Sequence, residues 1–180
     1  MRTQKVIGII IKRRNIGEAD RILTIFTKGE GKIHIKAKGV RKITSKRSSH
    51  VELLNFGVCT IYKGKAMPIL LEIQTHNVFY DIKTDLQKTG FAYHICELID
   101  GLCPENQENT RVFELLVETL HKLAITDTIA LVIHEFEVEL LSLLGYWSTS
   151  KIFSSREAEN IIEGILERKL KTLQILPQLQ

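Results

Sequence analysis

A strictly alternating stretch from Gly31 to Lys38 constrains the fold of this chain more than any other segment. Its polar parity holds Lys32, His34, Lys36 and Lys38, and its apolar parity holds Ile33, Ile35 and Ala37. Successive side chains of a β-strand point to opposite faces, whereas residues two apart on a helix do not share a face. The pattern therefore predicts a strand with a cationic face above an apolar one. A solvated face is the plainer alternative to a ligand-binding one.

A basic loop is predicted directly after this strand. Gly39 ends the alternation, and residues 40–50 are mostly polar, with cations at Arg41, Lys42, Lys46 and Arg47. We expect the strand cations to form a fixed track and the loop cations to form a mobile clamp. A row of cations followed by a basic loop suits a polyanion with regularly spaced charges.

The charge of the chain is divided unevenly between its two halves. Residues 1–80 contain 16 Lys and Arg against five Asp and Glu, a formal charge of +11. Residues 81–180 contain 9 against 16, a formal charge of −7. Such asymmetry indicates two bodies with different partners. We expect two domains, 1–80 and 81–180, of which the first binds nucleic acid or another anionic surface.

The first 80 residues predict five short strands separated by turns. The strands cover about 5–13, 21–27, 31–38, 57–62 and 69–75. Five short strands fit a small closed barrel, and the OB-fold is the commonest five-stranded barrel that binds nucleic acid. An SH3-like barrel would give a similar pattern, so both remain open at this point.

The apolar period changes from two to about 3.6 after Tyr80, which predicts helices. We expect four of them, at about 84–102, 110–123, 127–144 and 154–170. Thr84 and Gln87 have the spacing of a capping box, as do Ser154 and Glu157, and Gly145 suits a helix C-terminus. The predicted fold class is therefore α+β, an N-terminal five-stranded OB-fold barrel followed by an all-α helical bundle.

The sequence gives no support for catalysis, for a metal or for a cofactor. The cysteines, which include no C-x-x-C pair, are Cys59, Cys96 and Cys103. They indicate buried thiols in a reducing compartment. A zincin needs a second histidine four residues after His134, and Val138 stands there. With no secretory signal and no apolar run long enough to cross a bilayer, we expect a cytoplasmic protein without a membrane partner.

Nucleic acid is the ligand that the cations favour. The predicted contacts are Lys12, Arg13, Arg14, Lys32, His34, Lys36, Lys38, Arg41, Lys42, Lys46 and Arg47. If five to seven of them meet phosphates of a single strand, log affinity falls against log salt with a slope of about −3.5 to −5. Stacking partners for bases would be Phe56, Tyr62 or His34, although a role in the core is expected more often for such residues.

Short motifs along the chain match those of one bacterial family. In the basic half they are Gly8–Lys12, Gly17–Arg21, Thr27–Lys32 and Ala37–Lys42. In the helical half they are Glu97–Asp100, Phe136–Leu141, Leu144–Tyr146 and Leu166–Leu170. In their order and spacing these features resemble the recombination mediators of the RecO family, over nearly the whole chain.

The resemblance implies an OB-fold that binds single- and double-stranded DNA and a helical domain that engages proteins. It implies a non-catalytic protein of the bacterial nucleoid that anneals complementary strands, binds RecR and single-stranded DNA-binding protein, and assists RecA indirectly. Family contacts carry over to Lys32, Lys38, Arg41 and Lys42. Many members carry a four-cysteine zinc module after a Gly-Tyr-x-Pro stretch. Since no cysteine follows Gly145–Ser148, we expect a short form without that module.

Three other functions compete with this one. An OB-fold RNA-binding factor of translation or RNA processing would prefer RNA through 2′-hydroxyl contacts. A magnesium nuclease would use Glu18 and Asp20, although turn hydrogen bonds or pairing with Arg21 explain these carboxylates better. A protein adaptor would act chiefly through the acidic half, and its partner binding would survive removal of the barrel.

Overall fold

The computed structural model of the chain describes residues 2–148 and 154–179. It divides into two compact units. The first contains Met1–Val78 and Cys103–Thr110, and the second contains Phe79–Leu102 and Arg111–Gln180. The sequence placed the division after residue 80 and did not anticipate that residues 103–110 return to the first unit.

Five strands form the first unit. They are β1 (Thr3–Ile16), β2 (Asp20–Thr27), β3 (Gly31–Ala37), β4 (Phe56–Tyr62) and β5 (Ile69–Asn77). They close into a barrel in the order β1-β2-β3-β5-β4, in which β3 and β5 run parallel and the other neighbours run antiparallel. The predicted five-stranded OB-fold barrel is confirmed, and β1 and β5 extend beyond their predicted ends.

The apolar parity of β3 lies in the barrel core, as the alternation predicts. Ile35 pairs with Leu23 of β2, Ile33 pairs with Ile25, and all four side chains are buried. The loop that follows β3 starts and ends in the same core, because Val40 and Val51 are fully buried there. Val51 ends a 3₁₀ helix, Ser48–Val51. Burial of apolar area of this kind contributes about 25 cal/mol per Å².

In the ranges that the structure describes, six helices follow the barrel strands. They are α1 (Tyr80–Lys83), α2 (Leu86–Leu102), α3 (Thr110–Ile125), α4 (Ile129–Leu143), α5 (Ser155–Leu166) and α6 (Lys171–Ile175). Helices α1, α4, α5 and α6 pack against α2, and a 3₁₀ helix, Leu176–Leu179, follows α6. Within the described ranges, no helix is both long and apolar enough to cross a membrane.

The helix ends agree with two of the three predicted caps. Ser154 and Glu157 form a complete capping box at the start of α5. Gly145 has φ +81°, and its N–H bonds Ser142 O while the Tyr146 N–H bonds Leu141 O, which is a Schellman motif. The cap predicted at Thr84 is wrong. Asp85 caps α2 by accepting a hydrogen bond from the Lys88 N–H at 3.0 Å, because Thr84 ends α1.

A buried polar cluster connects α2, α4 and α6. His94 is fully buried, with Nε2 2.8 Å from Glu137 Oε1 and Nδ1 2.9 Å from Thr172 Oγ1. Glu97, one turn further along α2, accepts hydrogen bonds from the N–H groups of Lys171 and Thr172 and from the Arg168 guanidinium. Since buried polar groups are stable only when paired, this cluster fixes the short helix α6 against α2.

Candidate nucleic-acid interface

The cationic face of β3 is partly covered by the segment Cys103–Thr110. Lys32 is only 7% exposed, and its carbonyl accepts a hydrogen bond from the Asn106 N–H at 2.9 Å. His34 lies between Thr24 Oγ1, 3.0 Å from Nδ1, and Glu105 Oε1, 2.8 Å from Nε2. A segment that is distant in sequence therefore packs over two of the residues predicted to contact nucleic acid, Lys32 and His34.

Lys36 is the next cation of this face, and an acidic side chain neutralises it. Its Nζ lies 3.0 Å from Asp20 Oδ2, while Asp20 Oδ1 accepts a hydrogen bond from the Gly39 N–H at 2.8 Å. The Gly39 hydrogen bond and then the Lys36 contact lower the pKa of Asp20. Asp20 therefore binds Lys36 and the Gly39 N–H at the start of the loop, whereas the sequence predicted a turn hydrogen bond or a contact with Arg21.

The loop of residues 38–47, which we call the basic loop, is anchored at its first turn. Gly39 adopts φ +68°, a conformation that favours glycine. Arg41 donates its backbone N–H to Ala19 O at 2.9 Å and a guanidinium N–H to Gly17 O at 3.0 Å. The turn between β1 and β2 therefore supports the basic loop directly.

Arg47 braces the other end of the basic loop. Its guanidinium donates to three backbone carbonyls, Lys38 O at 2.8 Å, Leu70 O at 3.1 Å and Leu71 O at 3.3 Å. The side chain is half-buried in this position. The sequence predicted Arg47 as part of a mobile clamp. In the structure, the planar guanidinium of Arg47 connects both ends of the loop to β5 through these hydrogen bonds.

An open groove of about 420 Å³ runs beside the basic loop. Its lining residues are Arg21, Val40, Arg41, Lys42, Ile43, Ser48, Ser49 and Glu52. The Glu52 carboxylate binds the guanidinium groups of Arg13 and Arg21, the latter at 3.0 Å. Arg41 and Lys42, which the sequence predicts to contact nucleic acid, line the same groove as Glu52 and are exposed.

Several predicted cations lie at the surface of the barrel unit. The exposed ones are Lys12, Arg13, Arg14, Lys38, Arg41, Lys42 and Lys46. Four of them belong to the basic loop, which is short and held at both ends. The loop is therefore a compact cationic surface, and we treat it as the centre of the candidate interface.

The aromatic residues proposed as stacking partners do not join this surface. Phe56 and Tyr62 lie at opposite ends of β4, and neither lines the groove. Phe56 contacts the His76 ring edge-on at a centroid distance of 6.0 Å, and the Tyr62 hydroxyl accepts a hydrogen bond from Arg2 at 3.2 Å. Sequence reasoning also missed Glu105 as a partner of His34, because 71 positions separate them and no local pattern connects them.

The described part of the chain holds no group of three or more His, Cys, Asp or Glu side chains suited to a metal ion. Burial raises the pKa of the Cys59 thiol to about 12, so this cysteine stays protonated. Burial chiefly does the same for Cys96, to about 12, and for Cys103, to about 11. Asp20, one of the two carboxylates considered for a nuclease, is already bound to Lys36 and Gly39.

The strand order defines a five-stranded OB-fold barrel that carries the exposed basic loop and is followed in the chain by a helical unit. Family models agree with this class over both halves. Recombination protein O N terminal matches residues 1–79, and Recombination protein O C terminal matches residues 83–147. The chain belongs to the RecO family.

Curated relatives lead to the same family. A DNA repair protein RecO of Acetivibrio thermocellus is 38% identical over 151 residues, which is 82% of this chain and 60% of the relative. One of Dehalococcoides mccartyi is 38% identical over 142 residues, 79% of this chain and 56% of the relative. One of Roseiflexus sp. is 36% identical over 145 residues, 81% of this chain and 51% of the relative. The chain thus spans about half to three-fifths of these relatives.

Proposed function

We propose that this chain is a DNA-binding recombination mediator of DNA repair that acts without breaking covalent bonds. The observation that carries the proposal is the basic loop, whose exposed cations lie on an anchored turn of an OB-fold barrel. Membership of a family whose relatives are named DNA repair proteins supports DNA as the polyanion.

The basic loop would act by neutralising phosphates. We assign the principal contacts to Lys38, Arg41, Lys42 and Lys46, with Lys12, Arg13 and Arg14 at the margin. His34 and Lys36 would join only if DNA displaced Glu105 and Asp20, and Lys32 is too buried to contribute. Because backbone neutralisation is insensitive to sequence, single and double strands would both bind, and two complementary strands sharing this surface would anneal.

Protein partners belong to the same proposal. By analogy with the family, the helical unit would engage RecR and single-stranded DNA-binding protein, and RecA would be loaded as a consequence. The formal charge of −7 on residues 81–180 makes this half unsuitable as a second DNA surface.

Two double variants of equal charge test the role of the basic loop. Lys42→Gln/Lys46→Gln removes two loop cations, and Lys5→Gln/Lys65→Gln removes two exposed lysines elsewhere on the barrel unit. The salt dependence of binding to a single strand should become shallower by about 1.4 in the loop variant, at about 0.7 per lost phosphate contact. The other variant should match the wild type. Annealing of strands coated with single-stranded DNA-binding protein should likewise be weakened in the loop variant and unchanged in the other variant.

Equal slopes and equal annealing in the two variants would contradict the assignment to the basic loop. Tighter binding of RNA than of DNA of the same sequence would instead favour the RNA-binding alternative.

A further inference from the structure

Ile43 in the basic loop exposes its whole side chain. Its relative exposure is 105%, whereas the other exposed large hydrophobic residues in the described ranges lie between 37% and 83%. A fully solvated isoleucine contributes nothing to the core, and exposure of its apolar surface to water is unfavourable. A ligand that covers the side chain would remove this cost.

The surroundings of Ile43 indicate the chemistry of that ligand. Arg41 and Lys42 precede it, Lys46 follows it, and all three cations are exposed. Ile43 also lines the open groove together with Arg41 and Lys42. An apolar tip between cations is complementary to a ligand that alternates anionic groups with flat apolar faces, as a nucleic acid strand does.

The chain that carries Ile43 is held in place on both sides of this residue. Val40 and Val51 hold the two ends of the segment in the core, and Arg47 binds carbonyls of Lys38, Leu70 and Leu71. The tip is therefore presented to a ligand with little further ordering on binding, which favours affinity.

We propose that Ile43 inserts between successive unpaired bases of the strand whose phosphates bind Arg41, Lys42 and Lys46. Insertion of an isoleucine wedge unstacks neighbouring bases, and the cost is least where the bases are not paired. Ile43 would thus give the barrel a preference for single strands that the cations alone do not supply. This inference rests on the proposed DNA-binding function.

The test compares an oligonucleotide of unpaired thymidines with an abasic strand of the same length and the same phosphates. The variant is Ile43→Ala, and the control is Ile125→Ala, which truncates another isoleucine that is 83% exposed but lies at the end of α3. Wild type and control should bind the thymidine strand about five- to tenfold more tightly than the abasic strand, as expected for burying part of an aliphatic side chain. Ile43→Ala should bind both strands equally and keep the wild-type salt slope, because no phosphate contact is lost.

Three results would overturn the inference. Equal binding of both strands by the wild type would show that Ile43 does not insert between bases. Phosphate binding, and hence the proposed function, would be unaffected by that result. An equal loss of affinity for the thymidine strand and the abasic strand in Ile43→Ala would exclude a role with unpaired bases. Binding of the wild type to neither strand, with Ile43-dependent binding to anionic vesicles, would overturn both this inference and the proposed function.

Discussion

Lys36 and Asp20 form an ion pair between neighbouring strands, with 3.0 Å between Nζ and Oδ2. The other carboxylate oxygen accepts the Gly39 N–H at 2.8 Å, so one acidic side chain neutralises a strand cation and fixes the first turn of the basic loop. Ion pairs at the protein surface contribute little to stability. The main effect of Asp20 should therefore be on the charge that a DNA strand meets.

Asp20→Asn separates these two roles. The asparagine keeps an oxygen for the Gly39 N–H but removes the charge beside Lys36, so Lys36 becomes available to a phosphate. The salt slope of single-strand binding should steepen by about 0.7, which is one phosphate contact. Fluorescence anisotropy titrations over a range of salt concentrations would measure it. Glu18→Gln removes an exposed carboxylate two residues away and is the matched control; the same steepening in both variants would point to net charge alone.

The alternation in β3 was sufficient to predict the strand, its buried face and, with its neighbours, the barrel. The alternation could not predict which of the polar side chains stay exposed. Lys32 and Lys38 share a parity, yet Lys32 is 7% exposed and Lys38 is exposed to solvent, because Asn106 and its neighbours pack beside Lys32. A period of two reports the two faces of a strand and carries no information on a segment more than 70 residues away that covers one of them. For the same reason, the sequence pattern did not predict the hydrogen bonds from the Arg47 guanidinium to the carbonyls of Leu70 and Leu71.

Substitution by alanine should have different effects at the adjacent residues Lys46 and Arg47. At Lys46 it should change the salt dependence of DNA binding, and at Arg47 it should lower the stability of the fold. Lys46 is exposed, so its loss should make the salt slope shallower by about 0.7 and change the free energy of unfolding by less than about 0.5 kcal/mol. Arg47→Ala leaves three carbonyls without their donor and should cost about 2 kcal/mol in urea denaturation. Arg47→Lys should recover little of that loss, because a single ammonium cannot reproduce the planar fork. Equal stabilities for the two alanine variants would refute the brace.

Gly31 is a position where close approach and backbone conformation both require glycine. It has φ +65°, and an added Cβ would clash with Gln107 O, within the segment that covers Lys32. Gly17 has φ +55° but no atom within 4 Å of its added Cβ, so Gly17→Ala isolates the conformational cost of about 1 kcal/mol. Gly31→Ala should cost about 3 kcal/mol or more, since the clash adds to that strain. Hydrogen exchange at the Asn106 amide, which bonds Lys32 O, should accelerate only in Gly31→Ala; unchanged exchange there would show that the clash is relieved elsewhere.

Glu97 should make the stability of the helical unit dependent on pH. Burial raises the pKa of its carboxyl, but hydrogen bonds from Arg168, Thr172 and Lys171 outweigh burial and lower the pKa to about 2. Because the folded-state pKa lies below the ordinary glutamate pKa of 4.5, the ionised carboxylate stabilises the fold above about pH 4.5. That contribution is lost progressively as the pH falls from 4.5 towards 2.

Glu97→Gln removes the titrating group and should test this directly. At pH 7 the variant should be less stable than the wild type by about 1.5–3 kcal/mol, the usual worth of hydrogen bonds to a charged group. At pH 3 the difference should be smaller, because the wild-type carboxylate then gives up part of its advantage to protonation in the unfolded state. Urea denaturation at the two pH values measures both differences, and Glu167→Gln, at an exposed carboxyl after α5, should show little effect at either. A Glu97→Gln deficit that stays constant between pH 7 and pH 3 would mean that packing of the side chain, and not its charge, holds α6 against α2.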